Sequence, residues 1–117
     1  MRALLSLFLL ICFTANNANS NSRYPPISVK VEAIRLTDRS FYIPGLAGAA
    51  STRNEGFMSN AGFVITPAGV VVFDTLGSPS LAQAMVERIQ ALTKLPIKRV
   101  IVSHYHADHV YGLQVFK

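Results

Sequence analysis

At 117 residues the chain has room for one small domain at most. Half of its residues are hydrophobic, which suits a globular chain with a core of its own. The formal charge of +5 comes from Lys and Arg residues that stand singly apart from Lys98-Arg99. No basic run is interleaved with aromatics, so a nucleic-acid partner is excluded and the charge reads as solvated surface.

Residues 1–20 are set apart from the fold. Arg2 gives a short positive start, and residues 3–15 form an apolar block of the length of a signal-peptide core. That block is too short to span a membrane, which takes ~20 apolar residues. Ala18-Asn19-Ser20 supplies small residues for cleavage, so a mature chain is expected to start near Asn21. An uncleaved anchor is the competing reading, and no stable membrane anchor is expected. Ile11 is bulky where a lipoprotein signal before Cys12 needs a small residue. Cys12 is the sole cysteine, so the mature segment can form no internal disulfide and offers no thiolate ligand. The expected location is periplasmic or secreted.

Pro25-Pro26 marks an extended lead-in. Residues 29–36 alternate Val29, Val31, Ala33 against Lys30, Glu32, Arg35, with a slip near Ile34, and read as a half-buried strand. Phe41-Tyr42-Ile43 is a second, short strand that ends at Pro44-Gly45. Residues 46–60 are rich in Gly, Ala, Ser and Asn, lack periodicity and read as a loop.

Residues 62–65 and 70–73 are β-branched and aromatic runs around Thr66-Pro67-Ala68-Gly69. Pro at the second and Gly at the fourth turn position predict a tight antiparallel hairpin. The second run is nearly all apolar, as a strand buried on both faces should be. It ends in Asp74-Thr75. Ser78-Pro79 then opens a helix, with Ser as cap and Pro in the first turn. Leu81, Met85, Ile89 and Leu92 share one face, which makes Met85 core filler rather than a ligand. Pro96 stops the helix, and residues 97–102 form the next buried strand. Strand, helix and strand in this order predict a βαβ unit with parallel strands. Both carboxyl ends then lie on one sheet edge, where α/β sheets bind ligands. Asp74 is therefore expected near residues 103–109, accepting hydrogen bonds that hold that loop in shape.

That loop carries the chemistry. The three histidines of the chain all lie within residues 104–109, with one aspartate among them. Imidazole and carboxylate are ligands for zinc and similar metals. In an extended segment His104 and His106 point to the same side. Asp108 continues that period, whereas His109 joins only if the chain turns after His106. Such a turn would let Asp108 and His109 serve a second, adjacent position.

His104-x-His106-x-Asp108-His109 resembles the signature of the metallo-β-lactamase superfamily at every defining position. Asn60-Ala61-Gly62-Phe63-Val64-Ile65-Thr66 and Gly69-Val70-Val71-Val72-Phe73-Asp74-Thr75 resemble the strands that precede its metal loop. The resemblance covers roughly residues 29–117, the first half of that domain. It implies an α/β fold, the first half of a four-layer αββα sandwich, with residues 21–117 as the N-terminal part of a longer domain. It implies His104 and His106 as ligands of one metal and Asp108 and His109 as ligands of a second. Asp108 would also orient the nucleophile and take part in proton transfer, and Asp74 matches the Asp that holds the loop. The loop at residues 46–60 can lean over the site in this family. The implied cofactor is Zn2+, two per complete domain, with iron or manganese as alternatives.

The remaining family ligands come from a second half, so this segment alone is expected to be inactive. The expected activity of the whole protein is zinc-dependent hydrolysis of a β-lactam, lactone, thioester or related bond in a small-molecule substrate. An iron-containing sulfur oxidoreductase on the same fold and an inactive metal-binding fragment stay open beside it. Substrate and oligomeric state are not legible in these residues.

Overall fold

Five strands form one mixed sheet in sequence order, β1 Ile34–Arg35, β2 Ser40–Ile43, β3 Ala61–Thr66, β4 Gly69–Phe73 and β5 Ile97–Ile101. The computed structural model describes residues 23–117; the expected export signal at residues 1–20, with Cys12, lies outside the described residues. Neighbours β1 to β4 pair antiparallel, and β4 pairs β5 in parallel. Helix α1, Pro79–Leu92, connects the parallel pair. A short helix α2, Ala107–Val110, and a 3-10 helix, Tyr111–Phe116, complete the described residues. This is an α/β fold, with one mixed sheet and its helices, as expected.

The hairpin closes where the turn residues demand it. Thr66 pairs with Gly69, leaving Pro67-Ala68 as the loop. Gly69 takes φ 133°, a region that favours glycine. The Thr66 hydroxyl donates to the Gly69 carbonyl at 2.6 Å. At the head of α1 the Ser78 hydroxyl accepts from the Leu81 N–H at 3.2 Å, and Pro79 occupies the first turn.

The core lies between α1 and one sheet face. Phe41, Ile43, Phe63, Val70 and Val72 from the strands meet Leu81, Met85 and Ile89 from the helix. Phe41 and Phe63, direct cross-strand partners, stack with ring centroids 4.7 Å apart. Each such fully buried side chain contributes about 1.5–3 kcal/mol relative to exposure. The apolar stripe of α1 stops at Ile89, because Leu92 is the last helical residue and is 45% exposed.

Three strand expectations are corrected. Of residues 29–36 only Ile34–Arg35 joins the sheet. Val31 is nonetheless buried, and its carbonyl accepts from Arg88 Nε at 2.9 Å instead of from a strand. Strand β4 is buried on its helix side only, since Phe73 is 43% exposed. Strand β5 is an edge strand with Lys98 and Arg99 exposed, not a buried one. The row Tyr42, Gly62, Phe73 and Ile101 runs across the face turned away from α1. In that row Phe73 and Ile101 are exposed, and Tyr42 and Gly62 are half-buried.

Gly112 shows how tightly the 3-10 helix is seated. Its N–H donates to the Leu76 carbonyl at 3.1 Å. A Cβ there would run into the Thr75 carbonyl oxygen and the Ala82 methyl group. Gly112→Ala is therefore expected to cost about 1–3 kcal/mol, as overpacking does. The midpoint of urea unfolding measures it, and an unchanged midpoint would show that the 3-10 helix can move aside.

Candidate metal centre

The site begins where β4 and β5 end side by side. The Asp74 N–H donates to the Ile101 carbonyl at 2.8 Å, carrying the parallel ladder one step past β4. The chain then turns sharply through two residues in the left-handed region, Asp74 at φ 61° and Leu76 at φ 65°. That conformation costs a non-glycine residue about 1–2 kcal/mol. Burial of the Leu76 side chain and the bonds of this turn to the α2 segment offset it. The Thr75 N–H and hydroxyl both donate to the His109 carbonyl, at 2.9 and 3.0 Å. From the other side the Ser59 hydroxyl donates to the Asp108 carbonyl. Two backbone carbonyls of the proposed ligand residues are thus held by buried hydroxyl side chains.

Ser59 closes a loop that is more ordered than its composition suggests. Asn54 is buried there and acts as a hub. Its Oδ1 accepts from the Ser51 and Gly56 N–H groups at 2.9 and 3.0 Å, and its Nδ2 donates to the Ala49 carbonyl at 2.9 Å. Phe57 anchors the loop in the core.

Asp74 reaches the histidine loop. Its Oδ1 accepts from the Ser103 N–H at 2.7 Å. Its Oδ2 accepts from the Ser103 hydroxyl at 2.8 Å and from His109 Nδ1 at 2.8 Å. Burial raises the Asp74 pKa, but the Ser103 N–H, His109 and the Ser103 hydroxyl outweigh it and hold the carboxyl below its ordinary value. The carboxylate is ionised at neutral pH.

The chain bends directly after His106, which precedes the first turn of α2. The His109 N–H donates to the His106 carbonyl at 3.0 Å, closing that turn. His109 therefore joins its neighbours, and Asp108 leaves the straight period that His104 and His106 follow. His104 Nε2 and His106 Nδ1 face each other at 3.0 Å. His109 Nε2 lies 3.5 Å from Asp108 Oδ2. The rings of His104 and His109 are 4.1 Å apart between centroids, so the two pairs adjoin. His104 and His106 are exposed, whereas Asp108 and His109 are half-buried.

The donor set fits a divalent cation. Two nitrogens on one tetrahedral zinc, each at about 2.0–2.1 Å, stand about 3.3 Å apart, close to the His104–His106 spacing. His109 gives Nδ1–H to a carboxylate, which in the neutral ring leaves Nε2 as the lone-pair atom, the arrangement that orients metal-bound imidazoles. Among the described residues no three His, Cys, Asp or Glu side chains gather at one point. The four donors stand as two pairs, and a catalytic zinc takes three protein ligands. A metal held by either pair would therefore need donors beyond it.

Ser103, Thr75 and Ser59 were not singled out by sequence reasoning. Ser103 has a signal, a hydroxyl residue between the strand and the first histidine. Ser59 has none, because its partner lies 49 residues away.

The family model of the metallo-beta-lactamase superfamily matches residues 54–117. This is more than half of the chain, and the chain belongs to that superfamily. It is similar to the linear primary-alkylsulfatase of Pseudomonas sp. (strain ATCC 19151), with 28% identity over 50 residues. Those residues are 43% of this chain and 10% of the relative, so the match spans about a tenth of the alkylsulfatase.

Proposed function

We propose that the chain carries one side of a two-metal hydrolase centre, with His104 and His106 at one position and Asp108 and His109 at the other. The observation that supports this reading best is the pairing of donors, with His109 Nδ1 bonded to Asp74 and Nε2 left beside Asp108. When bound, a divalent cation such as zinc supplies the Lewis acidity that ionises water near neutral pH and polarises the bond under attack. The chain supplies the geometry. Thr75 and Ser59 hold the backbone of the ligand residues, and Asp74 holds His109. Asp108, half-buried beside His109, is the group placed to orient the attacking water and take its proton.

The substrate class is an ester-like or amide-like bond. Sulfate esters join β-lactams, lactones and thioesters as candidates, because the relative named above is an alkylsulfatase. The test uses the full-length protein, stripped with chelator and reloaded with zinc. It is offered a linear primary alkyl sulfate, a chromogenic β-lactam, a lactone and a thioester. Turnover of one of them that chelator removes and zinc restores is expected. Bound iron with oxidation of a sulfur substrate, or hydrolysis indifferent to chelator, would overturn the proposal.

A further inference from the structure

The hydrogen bonds around Asp74 place protons on particular ring atoms. An ionised carboxylate only accepts. Both partners of Asp74 Oδ2 must therefore donate, the Ser103 hydroxyl at 2.8 Å and His109 Nδ1 at 2.8 Å. Ser103 has one hydroxyl proton, and that proton points at Asp74. Its oxygen is left to accept, and His104 Nδ1 stands 2.9 Å from it. His104 then carries a proton on Nδ1, and in the neutral ring Nε2 is the lone-pair atom. Nε2 is also the atom that faces His106 Nδ1. His109 reaches the same state without an intermediary.

We propose that Ser103 is a positioning residue that passes the Asp74 carboxylate on to His104, so that one buried carboxylate selects Nε2 as the ligating atom at both metal positions. The inference rests on the metal reading given above. It predicts an asymmetry that the reading alone does not. Loss of the Ser103 hydroxyl disturbs His104 only. Loss of the Asp74 charge disturbs His104 and His109 together. Ser103→Ala isolates the relay, because the Ser103 N–H still donates to Asp74 Oδ1 at 2.7 Å and keeps the carboxylate in place.

The test uses full-length protein labelled with 15N histidine and has two arms. In the metal-free arm, two-bond 1H–15N spectra of the wild type should show His104 and His109 protonated on Nδ1. In Ser103→Ala the His104 pattern should become a mixture while His109 keeps its own, and Ser103→Thr should restore His104. In the second arm, chelator competition should show Ser103→Ala weakening one zinc site by about 10- to 100-fold, as losses behind a ligand do. The other site should stay close to wild type, Ser103→Thr should recover both, and Asp74→Asn should weaken both. A wild-type His104 protonated on Nε2 would overturn the relay even if no variant folded. Wild-type zinc affinity at both sites in Ser103→Ala, or failure of Thr to rescue, would overturn it too. A wild type that binds no zinc would sink the metal reading, while the first arm would still judge the relay.

Discussion

On the proposed two-metal reading, replacing His104 or His106 with alanine should strip the full-length protein of zinc at the first position and abolish the metal-dependent turnover proposed for it. The two ring nitrogens stand 3.0 Å apart, and each is half of what this segment offers to that position. Losing a group that merely supports a ligand costs about 10- to 100-fold in metal affinity; losing the ligand itself should cost more. The fold should survive, because both side chains are exposed and belong to no core cluster. Zinc content after gel filtration, read beside the unfolding midpoint, separates the two effects. Unchanged zinc in both variants would defeat the assignment, and a collapsed midpoint would show that these rings also hold the loop together.

Asp74 should give the second largest effect, and its substitutions should split into two kinds. Asparagine tolerates the left-handed backbone at φ 61°. It keeps one acceptor oxygen where three donors now meet a carboxylate, those of Ser103 and His109. Asp74→Asn is therefore expected to fold with little loss and to bind zinc about 10- to 100-fold more weakly. Alanine loses the acceptors and also meets the left-handed penalty of about 1–2 kcal/mol. Asp74→Ala should bind zinc as poorly as Asn and unfold at lower denaturant. Glycine relieves the backbone without restoring the carboxylate, so Asp74→Gly should recover stability over alanine but not affinity. Chelator competition and urea unfolding on the three variants measure this. Zinc affinity that tracked stability rather than the carboxylate would refute a direct role for Asp74 in the site.

Some readings of the sequence went further than the chain itself does. The period of two in residues 29–36 reported an extended chain with one buried side, and Val31 is indeed in the core. Periodicity carries no information about a pairing partner, and there the partner is the Arg88 side chain rather than a strand. Likewise the apolar run at residues 70–73 reflects side-chain type, whereas burial on both faces depends on a second layer. Residues 46–60 lack periodicity because their order comes from the Asn54 side chain bonding backbone groups, which leaves no repeating pattern.

What the sequence by itself determined are the features set by local chemistry. Pro67 and Gly69 dictate the hairpin, Ser78 and Pro79 the start of α1, and the spacing of Leu81, Met85 and Ile89 its buried side. The imidazoles and carboxylate at residues 104–109 are, by residue type alone, a set that can ligate a metal. Only the tertiary structure decided how those side chains stand as two adjoining pairs and which hydroxyls hold the loop. Ser59, Thr75 and Ser103 reach partners 49, 34 and 29 residues away. A hydroxyl becomes a clamp only when the parallel pairing of β4 with β5 brings two distant chain ends within hydrogen-bond reach, and a local pattern contains no such distance.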